Sequence, residues 1–156
     1  MSFDAVDALV GAFATNQRIN LYLIENLPEE AWRAQPPAGK GRDVASIIGH
    51  IHNVRIMWLK AAAKGLELPA KLEGDFSRAE AAAALDISYG ALHTLLEASL
   101  RSDGRIKNFK PDVVSFIGYL IAHDAHHRGQ IAMLARQVGH PLPQKAMFGM
   151  WEWGVR

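Results

Sequence analysis

The chain contains no cysteine. Disulfides and thiolate-held metals are excluded, and so is catalysis by a thiol of the protein's own. A thiol taking part in its chemistry would have to arrive as a small molecule. Long apolar runs are missing too: no stretch approaches the roughly 18 consecutive apolar residues of a membrane span. The opening Met1-Ser2-Phe3-Asp4 has neither the basic segment nor the apolar core of a secretory leader. A soluble, cytoplasmic protein is the expectation. Charge of one sign is also scarce. Seventeen Lys and Arg against 16 Asp and Glu leave a net charge of +1 with histidine neutral. The basic residues are scattered rather than striped, which argues against nucleic acid and against an acidic membrane as partners. Runs of β-branched residues are few, so little in the composition favours strand.

What is present points to helix. Alanine is abundant, and 49% hydrophobic residues in a chain of 156 suit a folded globule with a substantial core. A single domain over residues 1–156 is expected. Apolar residues at helical spacing mark four long segments. The first runs from about Phe3 to Asn26 on Val6, Leu9, Val10, Phe13, Leu21 and Ile24. Pro28 then suits the start of a short helical turn, with Trp32 pinning that turn to the core, and 35–41 reads as loop. The second segment runs from Asp43, a plausible N-cap, to Lys64, with Gly65 as its stop. Its apolar face carries Val44, Ile47, Ile48, Ile51, Val54, Met57, Trp58 and Ala61. After a loop over 66–75, Ser77 and Glu80 form a capping box for a third segment ending near 102–104. The fourth starts near Pro111-Asp112 and reaches Val138-Gly139. The tail, 140–156, holds Phe148, Trp151 and Trp153, which predicts that it packs on the bundle rather than leaving two indoles in water. The loops are longer than tight hairpins need, leaving room for a crossover rather than a simple up-down-up-down course.

Seven histidines stand at 50, 52, 93, 123, 126, 127 and 140. The informative stretch is His123-Asp124-Ala125-His126-His127-Arg128-Gly129-Gln130. Residues four apart on a helix stand one turn above each other, about 40° apart around the axis. His123 and His127 thus aim two imidazoles at one point, the spacing that helical metal sites use. A third ligand is needed, and His50 is the best candidate, three after Ile47 and four before Val54 on the apolar side of the second segment. His52 is turned about 200° from it and points elsewhere. Three imidazoles suit a divalent ion, zinc or nickel first, and leave a coordination position open as catalytic sites do. The competing reading is structural: a hydrogen-bonded core histidine at 50, and an i, i+4 pair arising by chance. His126 rivals His127 and is placed at the edge of the site. Gln130 is either a hydrogen-bond partner of the outer nitrogen of His127 or a surface residue. Asp124 faces a neighbouring helix or solvent. Gly129, which costs about 1 kcal/mol against alanine, marks either the close approach of another helix or nothing. His93 and His140 have no evident partner and belong at the surface or core edge.

The stretch 123–130 resembles the HxxxHRGQ signature of the DinB-like (DNA-damage-inducible) superfamily. Val44-Ala45-Ser46-Ile47-Ile48-Gly49-His50-Ile51 resembles the second-helix segment carrying that family's first histidine. The resemblance runs through the whole chain, since the helices and loops fall in the same places. It implies an all-α four-helix bundle with a long crossover between helices two and three. It also implies a metal held by His50, His123 and His127, and a homodimer. Characterised relatives include transferases and isomerases that use a low-molecular-weight thiol such as bacillithiol or mycothiol. The family name refers to damage induction and is not a sign of DNA binding.

The expected function is therefore a metal-dependent enzyme. It would activate water or a low-molecular-weight thiol for hydrolysis, transfer or isomerisation of a small molecule. His126, Gln130 or Glu152 would move the proton. Residues that would bind the thiol are not legible. Trp151, Glu152 and Trp153 either line the pocket or, the preferred alternative, close the bundle end. A non-catalytic metal-binding stress-response module and a purely structural bundle are the rival readings.

Overall fold

The computed structural model describes residues 3–156; Met1 and Ser2, at the head of the segment read above as no leader, lie outside the described residues. Each long helix begins at a side chain that takes up free N–H groups of its first turn. Asp4 accepts from Val6 and Asp7 and starts α1 (Ala5–Asn26), so the helix opens just after Phe3 rather than at it. Asp43 accepts from Ser46 at the head of α2 (Val44–Ala62). Ser77 and Glu80 cap each other's backbone at α3 (Arg78–Leu100). Asp112 accepts from Ser115 at α4 (Val113–Gln137). Pro28 precedes a short 3-10 turn, Glu29–Ala31, and Pro143 precedes a short helix in the tail, α5 (Gln144–Gly149). Among the described residues there is no strand, and no helix is long and apolar enough to cross a membrane.

The four long helices form a bundle in which α1 and α2 each pack against both α3 and α4. Arg101 at the end of α3 meets Asp7 at the start of α1 at 2.9 Å, so these two run antiparallel. Along α2 and α3 the core pairs Val44 and Ile48 with Ala81 and Leu85, then Leu59 with Leu92 and Leu96, so these two run parallel. In α4 the order is reversed: Ile47 and Ile48 share a cluster with Ile131 and Leu134, while Trp58 meets Phe116 at the other end. The course is up-down-down-up.

A parallel α2–α3 pair requires a connection as long as the bundle. The 19 residues of α2 rise about 28 Å. The segment 63–77 spans that with slack, since about 15 extended residues reach roughly 50 Å. It runs back along α2 and is fastened there. The buried His52 donates from Nε2 to the Ala70 carbonyl at 2.8 Å. The Asn53 carboxamide exchanges two hydrogen bonds with the Leu72 backbone, at 2.8 and 3.0 Å. Trp32 Nε1 donates to the Phe76 carbonyl at 3.1 Å. Gly49 lets the crossover close in, because a Cβ there would stand 3.1 Å from the Phe76 ring.

The apolar core is in two parts, one around Leu23, Ile48, Leu85 and Leu134 and one around Phe13, Leu59, Leu92 and Phe116. Between them lies a buried polar layer. Arg55 and Asp124, each about 1% exposed, pair at 2.8 Å. The same Asp124 Oδ2 accepts from Asn16 at 2.7 Å and Asn20 at 2.9 Å. Arg55 also donates to Gln17 and to the Leu85 carbonyl. Arg128 donates to the side-chain oxygens of Asn16 and Asn20. The expected apolar face of α2 is corrected here: Met57 is 52% exposed, and the charged Arg55 lies inside.

The tail aromatics are a second correction. Phe148, Trp151 and Trp153 are 64%, 80% and 40% exposed. The tail is held instead by Leu142, Ala146, Met147 and Met150, which share the first core cluster. Within α5 Ala146 and Gly149 are buried, and Phe148, about 200° round from Ala146, turns outward. A Cβ on Gly149 would collide with the Tyr22 hydroxyl, and Arg156 lies 3.7 Å over the Tyr22 ring.

Truncating one member of a buried ion pair strands the other. Asp124→Ala and Arg55→Ala are each expected to lower unfolding free energy by about 3–5 kcal/mol. Urea denaturation of each variant checks this.

Candidate metal centre

α2 and α4 lie side by side in opposite directions, and that pairing brings residues distant in sequence to one place. His50 from α2 meets His123 and His127 from α4, and one nitrogen from each ring lies within 4.8 Å of the others. The ring centroids of His123 and His127 are 4.5 Å apart, with His50 at 4.7 Å from His127 and 5.4 Å from His123. The Nε2 atoms of His123 and His127 are 3.2 Å apart. Two nitrogens bound to one tetrahedral zinc at 2.0–2.1 Å would stand about 3.3 Å apart.

The His127 proton is directed away from this point. His127 Nδ1 is 2.7 Å from Gln130 Oε1, an acceptor, so Nδ1 carries the hydrogen and Nε2 presents a lone pair. Asp124 Oδ1 faces His123 Nδ1 at 3.7 Å, too long for a hydrogen bond, but its charge favours the proton on that side. Burial pushes the His50 ring down to about 4, with Arg42, His127 and His123 adding to the effect. Burial also lowers His127, against the opposing pull of Gln130. Asp124 is held well below the usual carboxylate range. Its burial alone would raise it, and Arg55 with the hydrogen bonds around it overcomes that. Three ring nitrogens thus face one point, and the lone pair fixed on His127 Nε2 is aimed at it. The donor set therefore fits a divalent ion.

One small cleft reaches His50, and a second reaches Gln130, the partner of His127. The first, of about 310 Å³, lies between Arg42, His50, Asn53 and the crossover residues Leu72 and Phe76. The other, about 360 Å³, is bounded by Arg42, Ile47, Gln130 and Met133. Arg42 borders both.

The other residues singled out in the sequence fall elsewhere. His126 is exposed, its ring 5.0 Å from that of His127 and outside the converging three. Gln130 is committed to His127. Glu152 is not brought to the histidines: it is exposed and reaches Arg156 at 3.4 Å. Trp151 and Trp153 border a groove on the far side of α4, along Ala125 and Gly129, positions turned about 200–240° from His123. His52 is the buried fastener of the crossover. His93 stacks edge-on to Tyr89, and His140 is half-buried. The sequence reading missed the polar layer behind His123. Its signal was there: Asn16, Gln17 and Asn20 interrupt the apolar face of the first helix, and Asp124 and Arg128 repeat one turn apart on the fourth.

His123→Ala is expected to abolish metal retention, read by elemental analysis of the purified protein. Gln130→Leu, which frees the His127 ring, should weaken metal binding by about 10–100-fold in competition with a chromophoric chelator. In metal-free protein the His50 ring should stay neutral until pH nears 4. A folded value below the unfolded value of about 6.5 stabilises the fold above that pH, and the contribution disappears as pH falls toward 4. An NMR titration of the ring protons follows it directly.

A family model described as the DinB superfamily matches residues 12–131, well over half of the chain. The match takes in the three converging histidines, Gln130 and the polar layer, and it stops short of the tail. No curated protein and no solved structure matches the chain. With its bundle, its crossover and a three-histidine group that fits a metal-binding protein, the chain belongs to the DinB superfamily.

Proposed function

We propose that the protein is a metal-dependent enzyme acting on a small electrophilic molecule, with His50, His123 and His127 as its ligands. The observation that carries this is the convergence of three ring nitrogens, with at least one outer nitrogen tied down, beside clefts open to small molecules. A divalent ion held by neutral imidazoles supplies Lewis acidity, which draws water or a thiol toward its deprotonated form near neutral pH.

The chain's own residues would do the rest. Gln130 holds His127 in one tautomer, and the Asp124 carboxylate orients His123. Arg42, on the border of both clefts, favours substrates with an anionic group. His126, exposed beside His127, is the titratable ring best placed to exchange a proton with solvent. Without cysteine, any thiol nucleophile would come from a small molecule, and water is the other nucleophile this reading takes.

The test is a turnover assay with zinc- or nickel-loaded protein. One arm follows p-nitrophenyl ester hydrolysis, and the other follows conjugation of a chlorodinitrobenzene with a panel of small thiols. Sustained turnover that falls to the uncatalysed rate in His123→Ala is the expected result. Full metal loading without turnover in either arm would leave a metal-binding module in its place.

A further inference from the structure

We propose that the groove between α4 and the tail is a second binding site, taking a small carboxylic acid with a flat apolar body. It lies on the side of α4 turned away from the histidines, and the proposal does not rest on the metal reading.

The groove encloses about 250 Å³. Its floor is the outer face of α4, where Ala125, Gly129 and Ala132 leave little side chain. Gly129 carries the first part of the argument. A glycine inside a helix costs stability, and close packing of a neighbouring helix would be the usual reason for it. Here nothing lies within 4 Å of where its Cβ would be. The missing side chain leaves space on the groove floor and serves no helix contact.

The walls come from the tail. Met147 and Met150 are adaptable in shape, and the indoles of Trp151 and Trp153 offer flat apolar faces. These indoles are 80% and 40% exposed, so a ligand stacking on them would remove apolar surface from water.

Arg128 supplies the charge. It lines the groove, is half-buried, and its hydrogen bonds among the described residues all leave from Nη1, to Asn16 and Asn20. Those acceptors are neutral amides. The buried carboxylate of the layer, Asp124, gives Oδ2 to Arg55, Asn16 and Asn20. Among the described residues, Asp86 touches the layer through Gln17 and is exposed. Two guanidinium groups therefore share one buried carboxylate, and the uncompensated charge borders the groove. A guanidinium fork at the base of an apolar slot recognises a carboxylate by paired charge-assisted hydrogen bonds.

The test is isothermal titration calorimetry of the full chain with 2-naphthoate and with neutral 2-naphthamide. 2-Naphthoate should bind at one site, about tenfold or more tighter than the amide, with the same affinity before and after chelator treatment. Gly129→Leu adds a side chain on the floor, where a Cβ meets nothing within 4 Å, and replaces glycine by a better helix former. It should weaken 2-naphthoate binding at least tenfold while leaving the melting temperature equal or higher. Equal binding of acid and amide would remove the role of Arg128 and overturn the proposal. Unchanged binding in Gly129→Leu would place the ligand elsewhere, and loss of binding on chelation would assign it to the metal centre. If 2-naphthoate does not bind and Gly129→Leu instead weakens self-association in sedimentation velocity, a second copy of the chain covers the groove and the proposal fails.

Discussion

Asp124 lies between three helices with almost no contact with water, and an ionised carboxylate in that position persists only if its neighbours supply what water would. They do so from two helices, Asn16 and Asn20 from α1 and Arg55 from α2, which meet at the carboxylate carried by α4. This requirement sets how the helices stand along their length. Hydrophobic contacts tolerate sliding, because one leucine replaces another at modest cost. A slip of one turn, about 5.4 Å, would leave the carboxylate and the guanidinium unpaired. The histidines inherit that precision. His123 is the residue before Asp124, and His50 is five before Arg55, so the helix register that satisfies the ion pair also brings the imidazoles together.

Two histidines of α2 show how environment rather than residue type decides a role. His52 has both ring nitrogens at polar partners, Ala70 and Ser88, and is fully buried, so it acts as structure. His50, two positions away, turns to the other face and finds two more imidazoles. The crossover produces this division. It covers the His52 side of α2 and, through Phe76 packed over Gly49, walls one cleft beside His50.

Much of this was legible in the sequence, for physical reasons that differ by element. Helix starts were readable because capping is local: Asp43, Ser77 with Glu80, and Asp112 act on residues two or three away. The His123–His127 pair was readable because helical geometry alone fixes it, and its closing Gly129-Gln130 carried the family resemblance. The partner helix of Asp124 was not, since a charged residue at a core position is compensated by side chains 69 and more residues away. For the same reason Met57 looked a better core residue than Arg55. The tail failed differently. Aromatic content suggested burial, but in α5 it is the small residues Ala146 and Gly149 that pack inward.

The up-down-down-up course also has a consequence in time. His50 and His123 are separated by 123 − 50 = 73 positions, and α4 is the last long helix to leave the ribosome. While α1 to α3 emerge, the chain can pair α2 with α3 and dock the crossover, yet only one of the three converging imidazoles, His50, is in place. Closing so long a loop is entropically slow to be rewarded, and it needs the complete polar layer. A metal held by all three rings would therefore bind only to chains in which α4 has already packed on α2 and the ion pair has formed.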